Sequence, residues 1–300
     1  MPVLTIAIAV ALGIVLMLRK ARFHYERLPK IPYVAGAVIP EVAIVPPPVA
    51  SSEEYETSFP EEMIVSGGIV PPEPEWILLL GEQTKYARVF LPSLTQYAVD
   101  EELDMVSVFL KPEPQGFLEM LLAPYAMALF FTGVNSSRVN AHPPSESLAS
   151  GHCLLLRRRA YERLGRPGNL DYSRIPAEKG IRARVARAEH MGSVTGMRTG
   201  FQRYRAGMLR RGPFSALQSA LTGLLLLLWL PILALLLLGA YYRQAALFAL
   251  LPTVVLFPWY RNAKALLAPA VIYLFPLLAL KNKPAAADLR AAGDSLDHSN

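Results

Sequence analysis

The chain opens on eighteen residues without a charge, MPVLTIAIAVALGIVLML, followed at once by Arg19, Lys20 and Arg22. A helix needs about 20 apolar residues to cross the hydrocarbon core of a bilayer, and this run predicts one. A cleaved secretory signal would carry its positive charge ahead of the apolar run and a small-x-small site behind it. Here the charge follows the run, so residues 1–18 are predicted to be an uncleaved anchor. Basic flanks stay in the cytoplasm, which puts the N-terminus outside and the next segment inside. A second apolar block begins after Arg210-Arg211-Gly212-Pro213. Residues 214–240 are interrupted only by Ser, Thr and Gln218, and are long enough to span. Residues 245–260 and 265–280 are shorter, carry Pro252, Pro258, Pro269 and Pro276, and are separated by Arg261 and Lys264. The pattern predicts three C-terminal membrane helices within 214–280, then a polar tail over 281–300.

Between the blocks, residues 19–213 alternate short apolar runs with longer periodic ones. Residues 42–45 and 75–80 (EWILLL) read as strands, the second bounded by a proline-rich stretch and Gly81. Residues 91–100 read as a helix and 104–110 (DMVSVFL) as a strand. Residues 117–131 are apolar except Glu119, too short to span, and predict a helix on the core or the bilayer surface. Residues 154–156 form a short strand and 159–164 open a helix. Strands alternating with helices argue an α/β domain over 76–213. Residues 46–75, with PPP, SSEE and PPEPE, read as linker, so 19–75 holds only a partial first strand.

Composition changes this picture in two places. Hydrophobic residues are 53% and charged residues 18%, with a mean hydropathy of +0.30, which excludes a disordered chain. The net charge of +6 is unevenly spread: residues 157–211 hold 15 Arg/Lys against 4 Asp/Glu, while 41–110 hold 13 acids against 2 bases. The basic stretch fits a membrane-proximal surface facing anionic headgroups. No aromatics interleave with Arg157–Arg159, so nucleic acid is not the expected partner. A single cysteine, Cys153, excludes a disulfide framework and multi-cysteine metal sites. It sits beside His152, but no third orienting group can be named for a Cys–His nucleophile.

The order of these elements resembles a membrane-anchored family-2 glycosyltransferase of the GT-A type, in the subgroup with lipid acceptors. Four segments carry the resemblance. The first is the anchor followed by Tyr25-Glu26-Arg27-Leu28-Pro29-Lys30-Ile31-Pro32 and Pro40-Glu41-Val42-Ala43-Ile44-Val45-Pro46. The second is Glu75-Trp76-Ile77-Leu78-Leu79-Leu80-Gly81-Glu82-Gln83-Thr84, then a helix and Asp104-Met105-Val106-Ser107. The third is Ser150-Gly151-His152-Cys153-Leu154-Leu155-Leu156-Arg157-Arg158-Arg159-Ala160-Tyr161-Glu162-Arg163-Leu164-Gly165, similar to the family's acceptor-side segment. The fourth is the C-terminal membrane block behind a basic region. Two departures stand out. About two strand–helix units that bind the nucleotide are replaced by residues 46–75. The family's metal-binding Asp-x-Asp position reads Gly81-Glu82-Gln83.

The resemblance implies a reduced GT-A-like (Rossmann-like) domain on the cytoplasmic face of the inner (plasma) membrane, in a multi-pass chain. Its implied reaction is transfer of a sugar from a nucleotide sugar to a lipid of polyisoprenoid, hopanoid or carotenoid type. Asp171, in Asn169-Leu170-Asp171, resembles the family's base, although Leu170 stands where an acid would precede it. A carboxylate there would take the acceptor's proton. Glu82 is the implied ligand of a divalent cation, Mg²⁺ or Mn²⁺; one Glu beside a neutral amide binds a hard cation more weakly than two carboxylates. Gly151 and His152 would line the acceptor side. Gln202 and Arg205, in Gly200-Phe201-Gln202-Arg203-Tyr204-Arg205, resemble a Gln-x-x-Arg-Trp signature, with an arginine fork suited to diphosphate. The other reading is a catalytically inactive relative that acts as membrane scaffold or partner protein of an active enzyme.

Overall fold

The computed structural model describes residues 2–34, 40–46, 59–60, 63–65, 70–81, 84–114, 116–141, 153–165, 180–194 and 213–281, with the backbone alone at 213–216 and 276–281. The five-stranded sheet has the order β1-β2-β6-β4-β7. Its strands are β1 (Val42–Val45), β2 (Trp76–Leu80), β4 (Met105–Phe109), β6 (Cys153–Arg157) and β7 (Ala183–Arg187). β1 and β2 pair in parallel, as do β4 and β7, while β6 runs antiparallel between β2 and β4. Four strands therefore share one direction, and their carboxyl ends lie along one edge.

β2 reads WILLL rather than alternating because both faces of the sheet are covered. Trp76, Leu78 and Leu80 face a layer with Phe90, Leu91 and Leu94 of helix α2 (Phe90–Asp100). Ile77 and Leu79 face the other side, against Ala160 and Tyr161 of α5 (Arg158–Arg163). Both sheet edges are closed by short segments, which removes open edges for pairing. At β1, Ile64 bridges Ile44 and Val65 N–H donates to the Ile44 carbonyl at 2.8 Å. At β7, Lys30 bridges Arg187, Arg187 N–H donates to Pro29 O at 2.8 Å, and Ile31 N–H donates to Arg187 O at 3.0 Å. Within the acidic, proline-rich connection, Phe59 and Val65 are buried in the two layers.

The arginine string 157–159 does not form a plain solvated face. Arg157 lies 4.8 Å over the Trp76 ring. Arg158 donates to Pro74 O at 2.8 Å. Arg159 donates to Asp104 Oδ1 at 2.7 Å, and the buried Asp104 also takes Arg182 N–H on Oδ2 at 3.0 Å. These contacts tie the amino ends of β2, β4 and β7 to the carboxyl end of antiparallel β6.

The second body is a helical bundle. Helix α1 (Pro2–Glu26) packs against α3 (Phe117–Thr132), α6 (Pro213–Leu227), α7 (Trp229–Leu238) and α8 (Tyr242–Tyr260); α9 (Ala268–Lys281) packs on α3. The apolar helix α3 thus leaves the sheet and enters the bundle, contributing Leu121, Leu122, Tyr125 and Leu129 to its core. Among the described residues, two helices are long and apolar enough to cross a membrane, Pro2–Glu26 and Leu217–Leu238. The expected count of three C-terminal spans is not supported. α8 begins with Arg243 and Gln244 near its N-terminus and contains two prolines. α9 has 14 residues, about 21 Å at 1.5 Å per residue, short of a roughly 30 Å core.

Candidate functional site

In open sheets of this kind, ligands bind outside the carboxyl ends of parallel strands. Three chain segments leave that edge here, and each turns directly into a strand of a small second sheet. β2 continues to β3 (Thr84–Tyr86), β4 to β5 (Lys111–Pro112), and β7 to β8 (Gly192–Val194), in the order β3-β8-β5. The turn after β2 is pinned by Thr84, whose buried hydroxyl donates to the Gly81 carbonyl at 2.8 Å. The small sheet is closely built around Gly192. A Cβ there would lie 2.9 Å from the Lys85 carbonyl oxygen and 2.9 Å from Leu110 Cδ2.

The residues that the resemblance selects, Glu82, Gly151, His152, Asp171, Gln202 and Arg205, all lie outside the described residues. Their described neighbours frame the site. Glu82 follows Gly81 at the carboxyl end of β2. Gly151 and His152 precede Cys153, and Cys153 pairs with Leu80 at that same end. Among the described residues, no three His, Cys, Asp or Glu side chains converge as a metal site.

Cys153 itself is wholly buried in the layer under α2, and burial pushes its thiol pKa up. A thiol kept neutral is a poor nucleophile. The folded protein should therefore resist a maleimide or disulfide reagent at neutral pH, and denaturant should expose one reactive thiol. Fast labelling of the native chain would contradict this burial.

One cluster at the carboxyl edge was not singled out by the sequence. After β7 the chain makes a tight turn through Ala188, Glu189, His190 and Met191, with Met191 N–H donating to Ala188 O at 2.9 Å. Half-buried Glu189 sits close enough to feel Arg261, Arg22 and His190. Burial pushes its carboxyl above the usual carboxylate range, and those three groups partly pull it back. Arg22 comes from the last turns of α1 and Arg261 from the C-cap of α8. Arg22 lies 5.6 Å from the ring centroids of both Tyr25 and Trp259, which brings the two helix ends together. Arg187, on β7, lies 4.7 Å from the Tyr25 ring and donates to Leu28 O at 3.2 Å and Glu26 O at 2.9 Å. Burial, with Arg22 and Arg261 close by, lowers the pKa of Arg187. The signal available in sequence was weak, because this grouping joins residues 22, 189 and 261 across the whole chain.

No family model and no curated protein matches the sequence. Among solved structures, the chain is similar to the mannosyltransferase PcManGT from Pyrobaculum calidifontis in complex with GDP-Man and Mn²⁺, with a TM-score of 0.50 and 16% identity. The match covers 94% of this chain and 99% of that one, so it includes the helical bundle as well as the sheet. At that identity the likeness is one of fold: a mixed α/β glycosyltransferase architecture.

Proposed function

We propose that the protein is a membrane-bound glycosyltransferase that moves a sugar from a nucleotide sugar to a lipid acceptor of polyisoprenoid, hopanoid or carotenoid type. The observation that carries this reading is an architectural junction. The carboxyl edge of a glycosyltransferase-like sheet meets the ends of α1 and α8, where a lipid's polar end can reach it. The proposal places the sheet domain, residues 76–213, on the cytoplasmic side of the inner membrane, held by the 1–18 anchor, joined through 19–75, and followed by the 214–280 block and the 281–300 tail. An excess of basic residues beside both apolar blocks supports that orientation.

Transfer with inversion needs a carboxylate for the acceptor proton and positive charge for the departing diphosphate. The resemblance assigns the first role to Asp171 and the second to Gln202 and Arg205, with Gly151 and His152 at the acceptor. Binding of Mg²⁺ or Mn²⁺ through Glu82 belongs to the same proposal. Among the described residues, no three His, Cys, Asp or Glu side chains converge to hold the ion.

Calorimetry on the full chain in detergent tests the reading. GDP-mannose with Mn²⁺, the pair bound by the structural neighbour, is the first probe, and other nucleotide sugars follow. Saturable heat is expected, with weaker binding in Glu82→Ala and intact binding in Asp171→Ala. A second reading, an inactive scaffold or partner protein, is favoured by Gly81-Glu82-Gln83 at the metal position. No heat with any nucleotide would leave the scaffold standing; binding that vanishes in Glu82→Ala would remove it.

A further inference from the structure

We infer that Glu189 is the group that takes the proton from the acceptor, at the junction of the sheet's carboxyl edge with α1 and α8. The inference rests on the glycosyl-transfer reading and deepens it, by assigning the base to a residue that neither composition nor resemblance selected. Three observations converge on it.

The first is position. Glu189 follows β7 by two residues, on the edge where this class of sheet binds its ligand. It is also the acid that faces the ends of two bundle helices, through Arg22 of α1 and Arg261 of α8. A donor held along the sheet edge and a lipid rising between those helix ends would meet there.

The second is availability. Glu189 is half-buried, yet among the described residues it makes no hydrogen bond or ion pair. The other acids of the neighbourhood are engaged: Glu26 pairs with Arg22 at 2.6 Å, and Glu113 accepts from Ser193 Oγ at 2.7 Å. The charged groups that face Glu189 are Arg22, Arg261 and His190, all positive or able to become so. They favour the carboxylate, and burial favours the acid. Burial wins, so the carboxyl is a somewhat stronger base than an exposed one, while the cations beside it keep the carboxylate form accessible.

The third is backbone strain. Arg261 adopts φ 55°, in the left-handed region, at a helix end where glycine would be free of strain. Strain of this kind persists where its side chain has a task. Here it places a guanidinium beside Glu189.

The step balances without any further reactant. The acceptor O–H bond breaks and its proton passes to the Glu189 carboxylate. The acceptor oxygen forms a bond to the anomeric carbon of the sugar. The bond from that carbon to the diphosphate oxygen breaks, and its electron pair leaves with the nucleoside diphosphate. Glu189 then returns its proton to water.

The test uses the full chain in phosphatidylethanolamine–phosphatidylglycerol vesicles, with GDP-mannose, Mn²⁺ and a long-chain polyisoprenoid alcohol. In the unmodified chain, kcat is expected to fall as pH drops through the Glu189 titration. Glu189→Gln should lower kcat by on the order of 10²–10⁴-fold, keep KM for the donor, and abolish that acidic limb. Glu189→Asp should keep a limb at reduced rate. An unchanged limb in Glu189→Gln, or a limb lost only in Asp171→Asn, overturns the assignment. A chain that binds no nucleotide sugar would sink glycosyl transfer instead. A second measurement then decides Glu189 by itself: labelling with a water-soluble carbodiimide, mapped by mass spectrometry. Protection of Glu189 by the polyisoprenoid alcohol supports acceptor contact at this residue, and equal labelling with and without the alcohol overturns it.

Discussion

Replacing Arg187 by alanine is expected to loosen α1 from the sheet and to destabilise the protein by about 3 kcal/mol. The guanidinium is buried, at 5% exposure, and spends its donors on the last carbonyl of α1, Glu26 O, and on Leu28 O just beyond the helix. A helix end leaves such carbonyls without intrahelical partners, and a cation there also opposes the helix dipole. Hydrogen bonds from a charged donor contribute about 1.5–3 kcal/mol each, and the Tyr25 ring adds a smaller cation–π term. Repulsion from Arg22 and Arg261 offsets part of the sum, since removing Arg187 relieves it. The backbone pairs through Arg187 N–H and O survive the substitution, so the expected result is a hinge rather than detachment. At about 2–4 °C per kcal/mol, the apparent thermal midpoint in detergent should drop by roughly 6–12 °C. Trypsin should also cut faster at Arg27 and Lys30 in vesicles. Arg187→Met keeps the apolar stem and should cost nearly as much, because the donors are what matter. An alanine variant with an unchanged midpoint and cleavage rate would mean that α1 is held by other contacts.

The apolar pattern marked most of the elements to within a residue or two, for a physical reason. WILLL, MVSVF and CLLLR are continuous because both faces of each strand are buried, and such runs stand out against acidic or proline-rich surroundings. The pattern says nothing about order across the sheet. The insertion of antiparallel β6 between β2 and β4 is a pairing between residues 45–81 positions apart in the chain, and no local periodicity encodes it. The small sheet was equally hidden, since two- and three-residue strands carry no measurable alternation. Helix α3 was visible as an apolar run over residues 117–131, but its place inside the bundle depends on partners such as Tyr260, whose hydroxyl donates to Leu121 O. The count of C-terminal spans failed because an apolar run was read without its length and interruptions: α9 has only 14 residues, and α8 carries Arg243, Gln244 and two prolines.

The site was legible in a different measure. The resemblance pointed to the carboxyl end of β2 and the start of β6, and those two ends do pair, Leu80 with Cys153. Glu189 was invisible because its setting is electrostatic and non-local. In the string Arg187-Ala188-Glu189-His190 it reads as a solvated acid. Only burial in the folded chain raises its pKa, and the approach of residues 22 and 261 partly offsets that rise. A carboxylate whose charged neighbours include two residues from opposite ends of the chain is beyond any single-sequence motif.

Trp76→Ala should produce the largest loss of stability, about 3–5 kcal/mol or more, and should reach the site through β2. Trp76 is fully buried at the amino end of the strand, in the layer with Phe90, Leu94, Ile31 and Val42. Its ring also carries the Arg157 guanidinium at 4.8 Å, worth roughly 0.5–2 kcal/mol when desolvated. That guanidinium has little else. Its Nε lies 3.3 Å from Glu75 Oε1 but makes no hydrogen bond, so the pair is coulombic and weak. Alanine would leave both a cavity and an arginine without its platform. The consequence should spread beyond one end of the sheet, because β2 is flanked by β1 and β6 and continues through Gly81 into the small sheet. Trp76→Phe restores an aromatic face and most of the volume, and should recover more than half of the loss. The measurement is the apparent midpoint in detergent, with nucleotide-sugar calorimetry below that midpoint. If Trp76→Ala lowers the midpoint by roughly 6–20 °C while donor affinity holds, β2 supports the fold alone. If affinity falls with it and Trp76→Phe restores both, then the packing at the amino end of β2 sets the position of the binding edge some five residues away.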